Sequence, residues 1–254
     1  MCKNTVKKWL DNELFTLKNV RNEIDRMNFP ENKRKRATYM EQLFNCRAEG
    51  RTPIWIDETN FNLYCKRRAG RSKIGTRASV LLPASKGANL HCIGAMATGQ
   101  IVRFTTKRGA FKSGDCVEWF QSLIEDCQTA GITDPTFIID NAPAHVRIDQ
   151  LIEEHPHVKL LRLAPYSYLL NPIELLWSVY KSHVKRMLRD RMPEIRNFAS
   201  LPGLSVTEQK MRELEEIANR AITNVTPAML LGFTNRVERY YPMATRQEDL
   251  KEFP

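Results

Sequence analysis

Three carboxylates in this chain lie where strands and a helix could bring them together. Asp57 ends the run Pro-Ile-Trp-Ile-Asp, Asp140 ends Thr-Phe-Ile-Ile-Asp, and Glu174 lies in Asn-Pro-Ile-Glu-Leu-Leu-Trp. Ligands of open sheets tend to lie just beyond the carboxyl ends of strands. Clustered carboxylates repel one another unless a cation lies between them, and Mg²⁺ is usually held by one or two carboxylates with water and substrate phosphate. The pattern is therefore typical of a magnesium site.

Each acid also has an ordinary structural explanation when it is taken alone. Asp57 and Asp140 are compatible with turn aspartates at the ends of strands. Glu174 follows Asn171, a good N-cap residue, and Pro172, which suits the first helical position. It therefore also fits the third position of a capping box. These explanations remain open from the residues alone.

The segment between the first two acids is basic along its whole length. The 56 residues from Thr59 to Gly114 contain no Asp or Glu, although the chain has 29 acidic residues. A solvated sheet face would not exclude compensating acids, whereas contact with a phosphate backbone would. The pattern therefore favours phosphodiester chemistry. The segment has eleven basic residues: Lys66, Arg67, Arg68, Arg71, Lys73, Arg77, Lys86, Arg103, Lys107, Arg108 and Lys112.

Composition sets wider limits on the function. The 254 residues are 42% hydrophobic and 27% charged, as in a globular protein, and the net charge of +10 favours a polyanionic partner. The six cysteines form no C-x-x-C pair, which argues against a zinc site or a disulfide framework. No signal peptide and no apolar run of membrane-spanning length are present, so we expect an intracellular protein with no membrane partner.

Periodicity predicts the elements that position the acids. Alternation of strands and helices predicts an α/β fold with a mixed sheet flanked by helices. A long helix is expected after Pro172, and two further helices after it. We predict three regions, 1–48, 49–192 and 193–254, the last being a helical extension. The predicted strands are Ile54–Ile56, Ser79–Leu82, Leu90–Met96, Ile101–Thr106, Thr136–Ile139 and Val158–Leu163.

A tetrapeptide of basic residues stands apart from the acid-free segment. Lys33-Arg34-Lys35-Arg36 follows Pro30 within a polar, helical N-terminal region. Such a cluster is compatible with a nuclear import signal, with a phosphate-contacting patch, or with a solvated helix face.

The motifs in order resemble the catalytic domain of mariner-like DDE transposases. They are Asp57-Glu-Thr-Asn-Phe61, Ile139-Asp-Asn-Ala-Pro-Ala-His145, Ala164-Pro-Tyr-Ser167 and Asn171-Pro-Ile-Glu-Leu-Leu-Trp-Ser178, with 33 residues between Asp140 and Glu174. The resemblance implies a ribonuclease H-like fold whose catalytic and metal-binding triad is Asp57, Asp140 and Glu174. It also implies two Mg²⁺ ions, with Mn²⁺ as a substitute, and double-stranded DNA partners, namely transposon ends and target. A homodimer and a nuclear location are expected from the same resemblance.

Two features depart from the family pattern. Tyr168-Leu-Leu170 replaces the Pro-Asp or Pro-Glu and Leu that usually precede the Asn-Pro element. The region before residue 49 is too short for the two helix-turn-helix modules of the family, so we interpret it as a remnant of the second module with a basic linker. On this interpretation the chain is truncated at its N-terminus.

The resulting hypothesis is a DNA transposase that hydrolyses phosphodiester bonds and transfers strands in a metal-dependent reaction. We predict that the basic residues Lys66, Arg67, Arg68, Arg71, Lys73, Arg77, Lys107, Arg108 and Lys112 bind DNA. The alternative is a catalytically idle, transposon-derived nuclear DNA-binding protein. A ribonuclease H-like nuclease acting on RNA or DNA junctions would fit the fold but not the Asn-Pro-Ile-Glu element.

Overall fold

The computed structural model describes residues 25–66, 71–141 and 148–251, together with Thr5. Short 3₁₀ turns cover Asp25–Asn28 and Tyr168–Leu170. The strands are β1 (Thr52–Phe61), β2 (Leu90–Ala97), β3 (Gln100–Arg108), β4 (Pro135–Ile139) and β5 (Lys159–Arg162). The helices are α1 (Pro30–Ala48), α2 (Ser113–Thr129), α3 (Ile148–Glu153), α4 (Pro172–Arg196), α5 (Val206–Ile222), α6 (Pro227–Glu238) and α7 (Tyr241–Thr245). None of these helices is long and apolar enough to cross a membrane.

The described strands form one mixed sheet in the order β3-β2-β1-β4-β5. β2 and β3 form an antiparallel hairpin whose turn contains Gly99 at φ +84°, a conformation that favours glycine. β4 and β5 each follow a helical crossover and pair in parallel, β4 with β1 and β5 with β4. The mixed sheet with flanking helices that the sequence predicts is confirmed.

The parallel pairing of the interior strands β1 and β4 brings Asp57 and Asp140 next to each other. Trp55 pairs with Ile138 in the last register of β1 and β4. Continuing this register by two residues brings Asp140 level with Asp57. β1 itself runs on to Phe61 through its antiparallel pairing with β2, in which Asp57 stands opposite Gly94. The prediction that the first strand ends at Asp57 is wrong, because β1 continues to Phe61; its pairing with β4 ends at Trp55.

Two hydrophobic cores cover the two faces of the sheet. Ile54 and Ile56 of β1 belong to the core built with α2 and α3. Trp55 belongs to the core built with α4, α5 and α6. Since side chains alternate along a strand, Asp57 points to the same face as Trp55, towards α4.

The predicted strand Ser79–Leu82 is wrong. Residues 71–81 are exposed and irregular, with Val80 56% and Leu81 66% accessible. β-branched and apolar residues form a strand only where a neighbouring strand supplies hydrogen bonds, and residues 79–82 pair with no described strand. Residues 71–81 of the connection between β1 and β2 are therefore an exposed loop.

Elements from the three predicted regions contribute to one hydrophobic core. The boundary at 192/193 falls inside α4, which continues to Arg196. Met40 of α1, together with Leu214 and Leu230 of the C-terminal helices, belongs to the same core as α4. The described N- and C-terminal segments therefore stabilise the face of the sheet that carries Asp57.

Candidate active site

Asp57 is held by two hydrogen bonds from different elements. Its Oδ1 accepts the backbone N–H of Glu58 at 2.8 Å, within β1. Its Oδ2 accepts the indole N–H of Trp177 in α4 at 3.1 Å. Each carboxylate oxygen therefore has one donor and retains lone-pair capacity for a further ligand.

The environment of Asp57 disfavours its negative charge. Burial of the carboxyl group raises its pKa to about 7, and the charge of Glu174 adds to this effect. The Glu58 N–H lowers this pKa, Asp140 raises it further, and the Trp177 N–H lowers it. Both other acids of the predicted triad thus lie close enough to repel Asp57.

Glu174 projects from the first turn of α4 without acting as a helix cap. Pro172 occupies the start of α4, and Asn171 is its N-cap residue, yet the Asn171 side chain makes no capping hydrogen bond. The backbone N–H of Asn171, which a capping-box glutamate would accept, donates to the Tyr168 carbonyl at 3.0 Å. The capping-box explanation of Glu174 is therefore wrong, and its carboxylate is directed elsewhere.

The Glu174 carboxylate lies in the same electrostatic environment as the strand acids. Although the residue is exposed at the surface, partial burial raises its pKa; Lys181 lowers the pKa and Asp140 raises it. Lys181 lies two helical turns further along α4, so Glu174 has a cation nearby.

The end of β4 that carries Asp140 is held to the end of β5. The Ile139 carbonyl accepts the backbone N–H of Leu163 at 2.8 Å, and the Asn141 side-chain amide donates to the Leu163 carbonyl at 3.1 Å. Arg162 donates to the Asp140 carbonyl at 3.2 Å and to Asp149 at 2.7 Å. These contacts fix the backbone at Asp140, whose residue is exposed.

Electrostatic interactions link Asp57, Asp140 and Glu174 to one another. Among the described residues, no group of three or more His, Cys, Asp or Glu side chains is arranged to hold a metal ion. The donor set still fits Mg²⁺, which commonly takes one or two carboxylates and completes its shell with water and phosphate oxygens. The raised pKa of Asp57 agrees with a site in which a cation would relieve repulsion.

The predicted DNA-binding residues fall into three groups. Lys66, Arg71, Lys73, Arg77 and Lys112 are exposed. Arg67 and Arg68, like residues 142–147 after Asn141, lie outside the described residues.

The third group is already neutralised by acids from other parts of the chain. Lys107 forms an ion pair with Asp115, and Arg108 binds Glu208 and Glu215 of α5, with contacts of 2.5 Å to each. In the folded chain, acids from outside the segment therefore compensate Lys107 and Arg108. Asp115 lies in α2 directly after the segment, whereas Glu208 and Glu215 lie in α5, about 100 residues further along.

The basic tetrapeptide is part of α1 rather than a uniformly exposed patch. Arg36 is fully buried and donates to the Met27 carbonyl at 2.5 Å and to Asn28 Oδ1 at 3.1 Å. It cannot contact a receptor or a phosphate in this fold. Lys33 pairs with Asp249 at 2.5 Å and Lys35 with Glu31 at 2.5 Å, while Arg34 is exposed.

Sequence reasoning missed two residues that shape the site. Trp177 stands one turn after Glu174 on the same side of α4, and its indole N–H reaches Asp57. Gly94 stands opposite Asp57 and leaves the space in which the Trp177 ring lies. The spacing of Glu174 and Trp177, three residues apart in Glu-Leu-Leu-Trp, is the sequence signal that could have indicated this role of the tryptophan.

Comparison with known structures gives the fold. A pre-cleavage Mos1 transpososome is 14% identical, with a TM-score of 0.69, covering 98% of this chain and 72% of that one. A Mos1 mariner paired-end complex with Mn is 14% identical, with a TM-score of 0.68, covering 96% of this chain and 70% of that one. A Mos1 paired-end complex with Mg is 17% identical, with a TM-score of 0.63, covering 95% of this chain and 70% of that one. These likenesses confirm the predicted ribonuclease H-like fold. None of the curated proteins compared with the chain matches it.

Structural similarity at 14–17% identity gives the fold, whereas a match to a family model gives the family. Residues 52–196 match the DDE superfamily endonuclease family. The matched segment covers more than half of the chain and runs from β1 to the end of α4, so it contains Asp57, Asp140 and Glu174. The chain belongs to the DDE superfamily of endonucleases.

Proposed function

We propose that this chain is the catalytic part of a mariner-like DNA transposase, which hydrolyses phosphodiester bonds and transfers strands in a metal-dependent reaction. The observation that carries the proposal is the electrostatic influence among Asp57 of β1, Asp140 after β4 and Glu174 of α4, in a chain of the DDE endonuclease family. Similarity to Mos1 complexes supports the transposase class within that family.

In this proposal Asp57, Asp140 and Glu174 hold Mg²⁺, for which Mn²⁺ substitutes. The metal would activate the attacking oxygen and stabilise the leaving oxygen of the phosphodiester. The residues of the chain supply the frame. The Glu58 and Trp177 N–H groups orient the Asp57 carboxylate, and the β4–β5 contacts fix the backbone of Asp140.

Double-stranded DNA, as transposon ends and as target, is the proposed partner. The exposed residues Arg71, Lys73 and Arg77 of the β1–β2 connection, with Lys66 and Lys112, would contact its phosphates. A homodimer is proposed because similar Mos1 structures are paired-end complexes. A nuclear location, which the function requires in a nucleated cell, stays a prediction; of the four basic residues proposed as its signal, Arg36 is buried.

A plasmid-nicking assay tests the function. Asp140→Asn is expected to reduce nicking in Mg²⁺ or Mn²⁺ to the level seen in EDTA, while DNA binding changes little, because the carboxylate is lost and the basic surface is kept. Asp134→Asn is the matched control, since Asp134 is an exposed acid just before β4 and Asp140 lies just after it.

Two outcomes would contradict the proposal in different ways. If Asp140→Asn nicks as well as the wild type, the assignment of the three acids is wrong. If the wild type binds DNA in a salt-sensitive manner but nicks nothing in either metal, the catalytically idle alternative replaces the transposase.

A further inference from the structure

We infer that Trp177 is a positioning residue for the metal site, and that Gly94 serves to make room for it. The inference rests on the proposed function, because it assigns Trp177 a role in orienting Asp57 towards a divalent cation. It concerns a hydrogen bond between α4 and β1 that connects two of the three acids of the site.

The hydrogen bond has the geometry of an orienting contact. Trp177 Nε1 donates to Asp57 Oδ2 at 3.1 Å across 120 residues of sequence. Among the described residues, the other oxygen of Asp57 accepts the N–H of Glu58, the next residue in the chain. Two donors from different directions restrict rotation of the carboxylate far more than one does.

The position of Trp177 couples this orientation to Glu174. The two residues lie three apart in α4, so they lie on the same side of the helix. A single helical turn therefore carries one acid of the site and the donor that orients another. Any shift of α4 relative to the sheet would move both together.

Gly94 shows that the place of the indole ring is tightly defined. A Cβ atom at residue 94 would lie 2.8 Å from Trp177 Cη2 and 3.4 Å from Cζ2, distances that require the ring to move. The ring is also bounded by Phe104 and Tyr180, with centroids at 6.4 and 5.9 Å. Gly94 has no left-handed backbone angle, so packing against Trp177, rather than conformation, explains a glycine here.

A different role for Trp177, as ordinary core packing, makes different predictions. Trp119 provides the comparison, since it is buried to the same 4% exposure and donates its indole N–H to Thr105 Oγ1 at 3.0 Å. It lies in the other core, built with α2. Trp177→Phe and Trp119→Phe should lower stability alike, but only Trp177→Phe should change the affinity for metal.

The test measures binding of Mn²⁺ alone to the full chain by electron paramagnetic resonance of the free ion, without DNA. Trp177→Phe is expected to raise the dissociation constant about tenfold, the lower end of the effect of removing a hydrogen-bond partner of a metal ligand. Gly94→Ala should weaken binding as well, because the added methyl group displaces the indole. In the Trp177→Phe background, Gly94→Ala should have much less effect, since the atoms it meets are gone.

The outcomes separate this inference from the proposed function. Suppose that the wild type binds Mn²⁺ and Asp57→Asn does not, so that the metal site stands. The positioning role is then refuted if Trp177→Phe binds Mn²⁺ as tightly as the wild type, or no more weakly than Trp119→Phe does. Additive effects of Gly94→Ala and Trp177→Phe would refute the assigned role of Gly94. If the wild type and Asp57→Asn bind Mn²⁺ equally, the proposed function fails and this inference fails with it.

Discussion

Replacing Asp57 by asparagine should stabilise the metal-free protein at neutral and alkaline pH, although it removes a residue of the site. Burial and the charges of Glu174 and Asp140 raise the pKa of Asp57 from the ordinary value of 3.8 to about 7. The folded state therefore holds this proton more tightly than the unfolded chain does. The destabilisation is absent below about pH 4, grows between about pH 4 and 7, and is complete above that range.

The magnitude follows from the size of this rise. At about 1.36 kcal/mol for each tenfold change in proton affinity, it corresponds to about 4 kcal/mol as an upper value. Because Asp57 is only partly buried and solvent screens the neighbouring charges, we expect about 2 kcal/mol. Asparagine resembles the protonated carboxyl group in charge and in hydrogen bonding. It therefore removes the destabilisation caused by ionisation of Asp57 and keeps the packing and hydrogen bonds of the neutral side chain.

Urea denaturation in EDTA at pH 5 and pH 8 measures the effect. The stability of Asp57→Asn relative to the wild type should increase by about 1.3 kcal/mol from pH 5 to pH 8, because about a third of the total change falls below pH 5. Asp134→Asn should show no such increase. Saturating Mn²⁺ at pH 8 should stabilise the wild type, by about 2.7 kcal/mol at one hundred times its dissociation constant, and should leave Asp57→Asn nearly unchanged. An equal stability difference at both pH values would refute the electrostatic reasoning.

Two further predictions concern basic residues that the tertiary structure reassigns. Arg36→Met should lower the free energy of unfolding, measured by urea denaturation, by about 2 kcal/mol, because the buried Met27 carbonyl loses its donor. Arg34→Met, at an exposed position, should change it by less than about 0.5 kcal/mol. Equal effects of the two changes would contradict the structural role of Arg36. Arg77→Ala should weaken DNA binding and reduce its salt dependence by about one counterion, measured by fluorescence anisotropy across NaCl concentrations. Arg108→Ala should leave the affinity and its salt dependence nearly unchanged, because two glutamates already neutralise Arg108. Loss of DNA affinity in Arg108→Ala would show that the charge of Arg108 is available to DNA.

Local patterns predicted the elements wherever a local cause was sufficient. Thr226-Pro227 is a local signal for a helix start, and α6 begins there with the Thr226 side chain accepting the N–H of Met229. The apolar residues after Pro172 predicted α4, and the hydrophobic runs before Asp57 and Asp140 predicted β1 and β4. Propensity, capping and periodicity act over a few residues, so they can be read along the chain.

Ser79–Leu82 shows the limit of that reasoning. Its residues favour a strand, but a strand forms only when a partner in register supplies hydrogen bonds, and no local signal specifies a partner. The same limit explains why β1 exceeds its predicted length, since its second half exists through pairing with β2.

By itself, the sequence determined the kinds of groups available to the site: three acids, their spacing, and a basic segment between the first two. Only the tertiary structure decided which charges remain available. It buries Arg36, neutralises Arg108 with α5, and brings Trp177 onto Asp57 in the space that Gly94 leaves open. The physical reason is that charge, desolvation and hydrogen bonding depend on distances in space, and the partners here lie up to 120 residues apart in the chain.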